Sequence, residues 1–252
     1  MQLRRIDASR AIGWYGFGWH TFARSPGIWV AVMLLLAVIV LTLQLIPLIG
    51  PLVLSLISPA LTGGLMYGAK EAADGRPVKI SHVFMGLVQE DTRASMLILG
   101  GVMLGLSILF AIVAAIIVGG SAGVGTFSGA ANDANGVAVA TGAMGLGLLL
   151  TFLVTVIFTL ATFAVLAFAI PLVMFERAPP VEAVKSSVNA SLKNLASMTV
   201  FVIVYLVSAI IAAIPFFLGF IVLIPVTAAA LYAGFRDIYS VDTTVVAEPR
   251  FR

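Results

Sequence analysis

From Ile28 to Ala69 the chain runs for 42 residues without an Asp, Glu, Lys, Arg or His. As a single helix rising 1.5 Å per residue this stretch would be about 63 Å long, twice the roughly 30 Å hydrocarbon thickness of a bilayer. It therefore has to turn back. Ile46-Pro47-Leu48-Ile49-Gly50-Pro51 marks the place, because two prolines and a glycine cannot continue a regular helix. The reading is two membrane spans, about residues 28–46 and 51–69. A second uncharged stretch, Met198 to Phe235, divides in the same way around Pro215 and Gly219, giving spans near 198–214 and 218–235. Two longer apolar runs between them, about 94–119 and 144–174, bring the count to six. The run 144–174 is longer than a bilayer requires, which predicts tilt, a protruding end or a bend near Pro171.

Only 10% of the residues are charged and 61% are apolar, whereas a soluble domain carries roughly 25% charged residues. The expected fold is an all-α polytopic transmembrane helix bundle, six spans arranged as three hairpins. It forms one membrane domain over residues 1–240, with a polar, flexible tail at 241–252. Arg4, Arg5 and Arg10 resemble the basic start of a signal peptide. The first long apolar run begins too late and lacks a small-residue cleavage pattern, so the first span is expected to be retained.

The charges test this model. All 14 Lys and Arg fall before span 1, between spans 2 and 3, between spans 4 and 5, or after span 6. The alternate connections at 47–50, 120–143 and 215–217 hold none. By the positive-inside rule the basic side is cytoplasmic, with both termini on it. Asp133 is the only acidic residue on the other side.

Each odd-numbered span follows a segment that reads as an amphipathic helix at the cytoplasmic interface. The first places Ala8, Ala11, Ile12, Tyr15, Trp19 and Phe22 at helical spacing, and Trp14, Trp19 and Trp29 are the expected interfacial anchors, since indole favours the headgroup level. In the second, Ser81 is placed to cap a short helix bearing Phe84, Leu87 and Val88. In the third, Pro179-Pro180 opens a helix with Val181, Val184, Val188 and Leu192 on one stripe. These helices either fix how each hairpin enters the bilayer or form a docking surface for a partner or an anionic headgroup. A parallel repeat is suggested by Pro59, Leu65, Gly68, Lys70 and Glu71, which align without gaps with Pro225, Leu231, Gly234, Arg236 and Asp237.

Little in the chain carries chemistry. There is no cysteine, and there are two histidines, His20 and His82, both expected to be wet interfacial side chains. None of the six spans contains Asp, Glu, Lys, Arg or His, which argues against a proton relay or voltage sensor. Thr151, Thr155, Thr159 and Thr162 form one face of span 4, either packing and bonding back to their own helix or lining a polar path. Gly101 and Gly105 are spaced for a close helix contact. Pro59 and Pro225 are candidate helix breaks, of the kind that can mark transport sites. The small-residue segment 120–142, with Asn132, Asp133 and Asn135, reads as a flexible connector; one carboxylate is too few for calcium. No catalytic, cofactor or metal motif is present.

Three groups of residues carry a resemblance. They are Gly13-Trp14 to Trp19 leading through Phe22 and Pro26; Pro171-Leu172-Val173 through Phe175 with Pro179-Pro180-Val181-Glu182-Ala183-Val184-Lys185-Ser186-Ser187 and Asn194; and Leu231-Tyr232-Ala233 with Phe235-Arg236-Asp237-Ile238-Tyr239. Together they resemble a family of uncharacterised proteobacterial inner-membrane proteins. The middle group is also similar to the membrane domain attached to some glycerophosphodiester phosphodiesterases. The resemblance implies a bacterial inner membrane and brings no catalytic residues. The expected function is a non-enzymatic membrane protein that organises lipids, including anionic headgroups, or a membrane-protein partner, with no nucleic acid and no cofactor. The alternative is a small transporter or permease component using spans 2, 4 and 6.

Overall fold

The computed structural model describes residues 3–127 and 134–239. Ten α-helices and one 3₁₀ turn account for all its regular elements, and no strand occurs among the described residues. Six helical stretches are long and apolar enough to cross a membrane. Of these, α2 (Pro26–Gln44) and α3 (Ile49–Ala73) form the first hairpin. The second pairs α5 (Glu90–Phe127) with α6 (Ala134–Leu166), which is continued by α7 (Ala169–Glu176). The third joins α9 (Leu195–Ala213) to α10 (Phe220–Tyr239). Three further helices precede the hairpins: α1 (Arg10–Arg24), the single turn α4 (Met85–Val88) after the 3₁₀ turn Ile80–Phe84, and α8 (Pro180–Lys193).

The described parts of segment 120–142 are helical, so α5 and α6 are longer than expected; Asn132, Asp133 and the tail 241–252 lie outside the described residues. Of the three outcomes expected for span 4, a break near Pro171 is present, at Ala167–Phe168. This is the physically required place, since a proline ring meets the carbonyl four residues before it, and Pro171 is four residues beyond Ala167. Pro59 and Pro225, by contrast, break nothing: α3 and α10 run through them. At Pro59 the missing backbone donor is replaced, because the Ser58 hydroxyl donates to the Ser55 carbonyl at 3.3 Å.

The chain divides into two compact units, one of residues up to Gly100 and from Ala164 onward, the other of Gly101–Phe163. In the first unit burial is concentrated at the charge-bearing ends of the helices. Ala60 to Ala72 of α3, Leu166 to Met174, and Val226 to Tyr239 of α10 supply most of the core. The opposite ends of its hairpins are apolar and exposed, and both turns there, 45–49 and 214–219, contain no polar side chain. Phe216, at the tip of the second turn, is 93% exposed and has a left-handed φ of 51°.

Glycine sets the close contacts of this unit. A Cβ on Gly18 of α1 would collide with the Val226 carbonyl of α10, one on Gly64 of α3 with the Val83 carbonyl, and one on Gly86 of α4 with the Ala60 carbonyl. The segment 80–88 is therefore pressed against α3 by backbone contact, so it does not lie flat as a surface helix. Ser81 does not cap it; His82 Nδ1 accepts the Lys79 N–H at 3.3 Å instead. Gly101 and Gly105 face open space, and the close contact falls on Gly100, against Leu56.

Candidate membrane-interface site

The charge-bearing end is held together by a few buried polar side chains. Trp14 lies on the face of α1 that meets α10, its ring over Gly234. Its Nε1 donates to Asp237 Oδ2 at 2.7 Å, and Arg10 binds the same carboxylate through Nε at 3.2 Å and Nη2 at 2.9 Å. A buried carboxylate with three charge-assisted donors is fully satisfied, and its donors are fixed in return. Trp29 sits against Gly68 and donates from Nε1 to the Thr21 carbonyl at 3.3 Å. The two glycines that align in the sequence thus each seat a tryptophan ring.

These placements correct the reading of the tryptophans. Trp14 is 3% exposed and Trp29 1%, so their rings touch protein and not headgroups; Trp19, at 59%, is on the surface. The buried stripe of α1 is Ala11, Trp14, Gly18, Thr21 and Phe22, while Ile12 faces outward. His20 is exposed as expected, but His82 is buried, edge-on to Tyr67 at 5.3 Å. Burial pulls the His82 pKa below its usual value, against the opposing pull of the Glu71 carboxylate.

At α8 the face buried most deeply is not the expected apolar stripe, of which Val184 and Val188 are half-buried. Ala183, Ser187, Ala190 and Ser191 are buried, whereas Val181 and Leu192 of the apolar stripe are exposed. Ser187 is inserted into the bend before α7. Its hydroxyl accepts the Phe168 N–H at 3.0 Å and donates to the Ala164 carbonyl at 2.8 Å, replacing the helical bond between those two residues. Asn194, at the α8–α9 corner, clasps the N-terminal segment. Its Oδ1 accepts the Ile6 N–H at 2.8 Å, and its Nδ2 donates to the Arg4 carbonyl at 3.2 Å. Ser197 Oγ donates to the Ile6 carbonyl at 2.9 Å, and the Arg4 N–H reaches Ile238. Sequence reading singled out Ser187, Asn194 and Asp237 as parts of a pattern without a role; each is a staple between segments distant in the chain.

In the second unit, Thr155, Thr159 and Thr162 of α6 line an open groove of about 240 Å³ with Ser107, Phe110 and Phe158. Thr151 and Thr155 donate to the carbonyls of Gly147 and Thr151 at 2.8 and 2.7 Å, so both hydroxyl protons are taken up within α6. Among the described residues no three His, Asp or Glu side chains converge as metal ligands would.

A family model described as a predicted integral membrane protein (DUF2189) matches residues 45–176, just over half of the chain. The chain belongs to this family. The DUF2189 match runs from the turn before α3 to the last residue of α7. The threonine groove and the bend at Ala167–Phe168 fall inside it, and the Trp14–Asp237 and Asn194 staples fall outside. No curated protein and no solved structure matches the chain.

Proposed function

We propose that this DUF2189 protein is a non-enzymatic organiser of lipids or partner proteins in a bacterial inner membrane, working at its cytoplasmic face with both termini on that side. One observation carries the reading: the order of the molecule is concentrated at its charge-bearing end. The stapled polar groups and both buried tryptophan seats lie there, and the outward faces of that end present cations beside apolar side chains, as on α8 with exposed Lys185 and Lys193 beside Val181 and Leu192. A surface of this kind suits the headgroup region, where cations meet anionic lipid and apolar side chains meet acyl chains.

A second reading, a small permease component, is favoured by the meeting of Ser107 with the threonine face of α6. Extraction in native lipid discs followed by mass spectrometry of the bound species separates the two. An enriched anionic lipid or a stoichiometric protein partner is the expected result. A retained small molecule without either would transfer the assignment to the permease, and a lipid complement matching the bulk membrane with no partner would end the organising proposal.

A further inference from the structure

Where the N-terminal segment crosses the corner between α8 and α9, it leaves an open groove lined by residues 5–8, 192–196, 199 and 200. The groove is preformed, since the Asn194 and Ser197 staples fix the backbone on both sides of Arg5. Arg5 and Lys193 line it as exposed side chains, and neither takes part in the ion pairs found among the described residues. Asp7 also lines the groove, but its Oδ1 already accepts the Ser9 N–H and hydroxyl at 2.9 and 2.7 Å. The three side chains leave one net positive charge, matched to a monoanion. Thr199 adds a hydroxyl, and exposed Leu192 and Leu195 flank the cations.

Depth identifies the occupant. α9 has 19 residues, about 28 Å of helix, which only just spans the hydrocarbon. Leu195, its first residue, must therefore stand at the boundary between acyl chains and headgroups, and the groove with it. We propose that this groove binds the phosphodiester of an anionic phospholipid, with Arg5 and Lys193 on the phosphate, Thr199 donating to it, and Leu192 and Leu195 against the upper acyl chain. The proposal rests on the lipid-organising reading above and gives it a place and a ligand class. A soluble phosphate would match the cations but leave both leucines without a counterpart.

The test uses the full chain in phosphatidylcholine vesicles carrying trace spin-labelled phosphatidylglycerol or phosphatidylcholine, with the motionally restricted fraction read by electron paramagnetic resonance. The unaltered protein is expected to prefer phosphatidylglycerol. Arg5→Gln and Lys193→Gln are each expected to cut that preference roughly fivefold, the effect of one cation near a lipid surface. Lys185→Gln, which removes the same charge from the outward face of α8 outside the groove, is expected to cut it far less, and excess glycerol phosphate should leave it unchanged. Unfolding temperatures of the three variants confirm that the comparison is between folded proteins. An equal loss in Lys185→Gln, or displacement by glycerol phosphate, overturns the site. Preference that survives both groove variants overturns the site while leaving the organising reading intact, whereas no preference in the unaltered protein removes the lipid basis of both.

Discussion

His82 shows how far one residue's surroundings can depart from its composition class. On a chain this apolar, a histidine near a basic segment suggests a wet side chain, yet the close approach of Gly64 to the 80–88 segment brings His82 against α3. Its Nδ1 is already an acceptor for Lys79 N–H, so a second ring proton would displace a hydrogen bond as well as bury a charge. The unfolded chain takes up that proton near pH 6.5, while the folded chain resists it to lower pH. Stability from this group is complete above pH 6.5 and is lost as pH falls toward the lowered folded value. Thermal unfolding in lipid discs should accordingly show a midpoint that drops below pH 6.5. His82→Gln should flatten this part of the profile, and an unchanged slope in that variant would assign the pH dependence to other groups.

At the scale of elements, small residues fix the packing. α1 meets α10 through Gly18 and the Trp14–Gly234 seat. Gly18→Ala has no room beside the Val226 carbonyl and is expected to cost about 1–3 kcal/mol. Gly13→Ala, on the open side of the same helix, should be neutral or stabilise by up to about 1 kcal/mol. Unfolding titrations of the two variants in mixed micelles check this, and equal effects would mean that α1 is not seated on α10 as described. The same physics explains what was legible in the sequence. The positions of the turns followed from Pro47, Gly50, Pro215 and Gly219, because those residues punctuate helices in any solvent. The buried faces of α1 and α8 did not follow. Against lipid an apolar stripe need not point inward, and close helix contact selects small residues, so Ala183, Ser187 and Ala190 went in and Val181 and Leu192 went out. The indoles misled for a related reason, because Trp14 and Trp29 find their polar partners in Asp237 and Thr21 and not in headgroups.

For the whole molecule, the three hairpins are not alike. α5 and α6, with 38 and 33 residues, are about 57 and 50 Å long and exceed the hydrocarbon thickness. α2 and α9, with 19 residues each, barely match it, and the turns they lead into are wholly apolar. A membrane-impermeant thiol reagent applied to intact vesicles of both orientations should therefore modify Asn135→Cys and leave Phe216→Cys unmodified until detergent is added. Equal modification of the two would place the 214–219 turn in water. Glycine is a poor labelling position at these turns, since a Cβ on Gly50 or Gly219 would strike the Leu43 carbonyl or Ala212.

A turn with no polar side chain also changes what it takes to build the protein. With both termini on the face of synthesis, as proposed above, the first and third hairpins can enter the bilayer tip first, because nothing charged has to be carried across the hydrocarbon. In that orientation only the central hairpin has a hydrophilic stretch in its connecting sequence to deliver to the far side. Assembly of this chain thus reduces to one act of translocation, flanked by two insertions that require none.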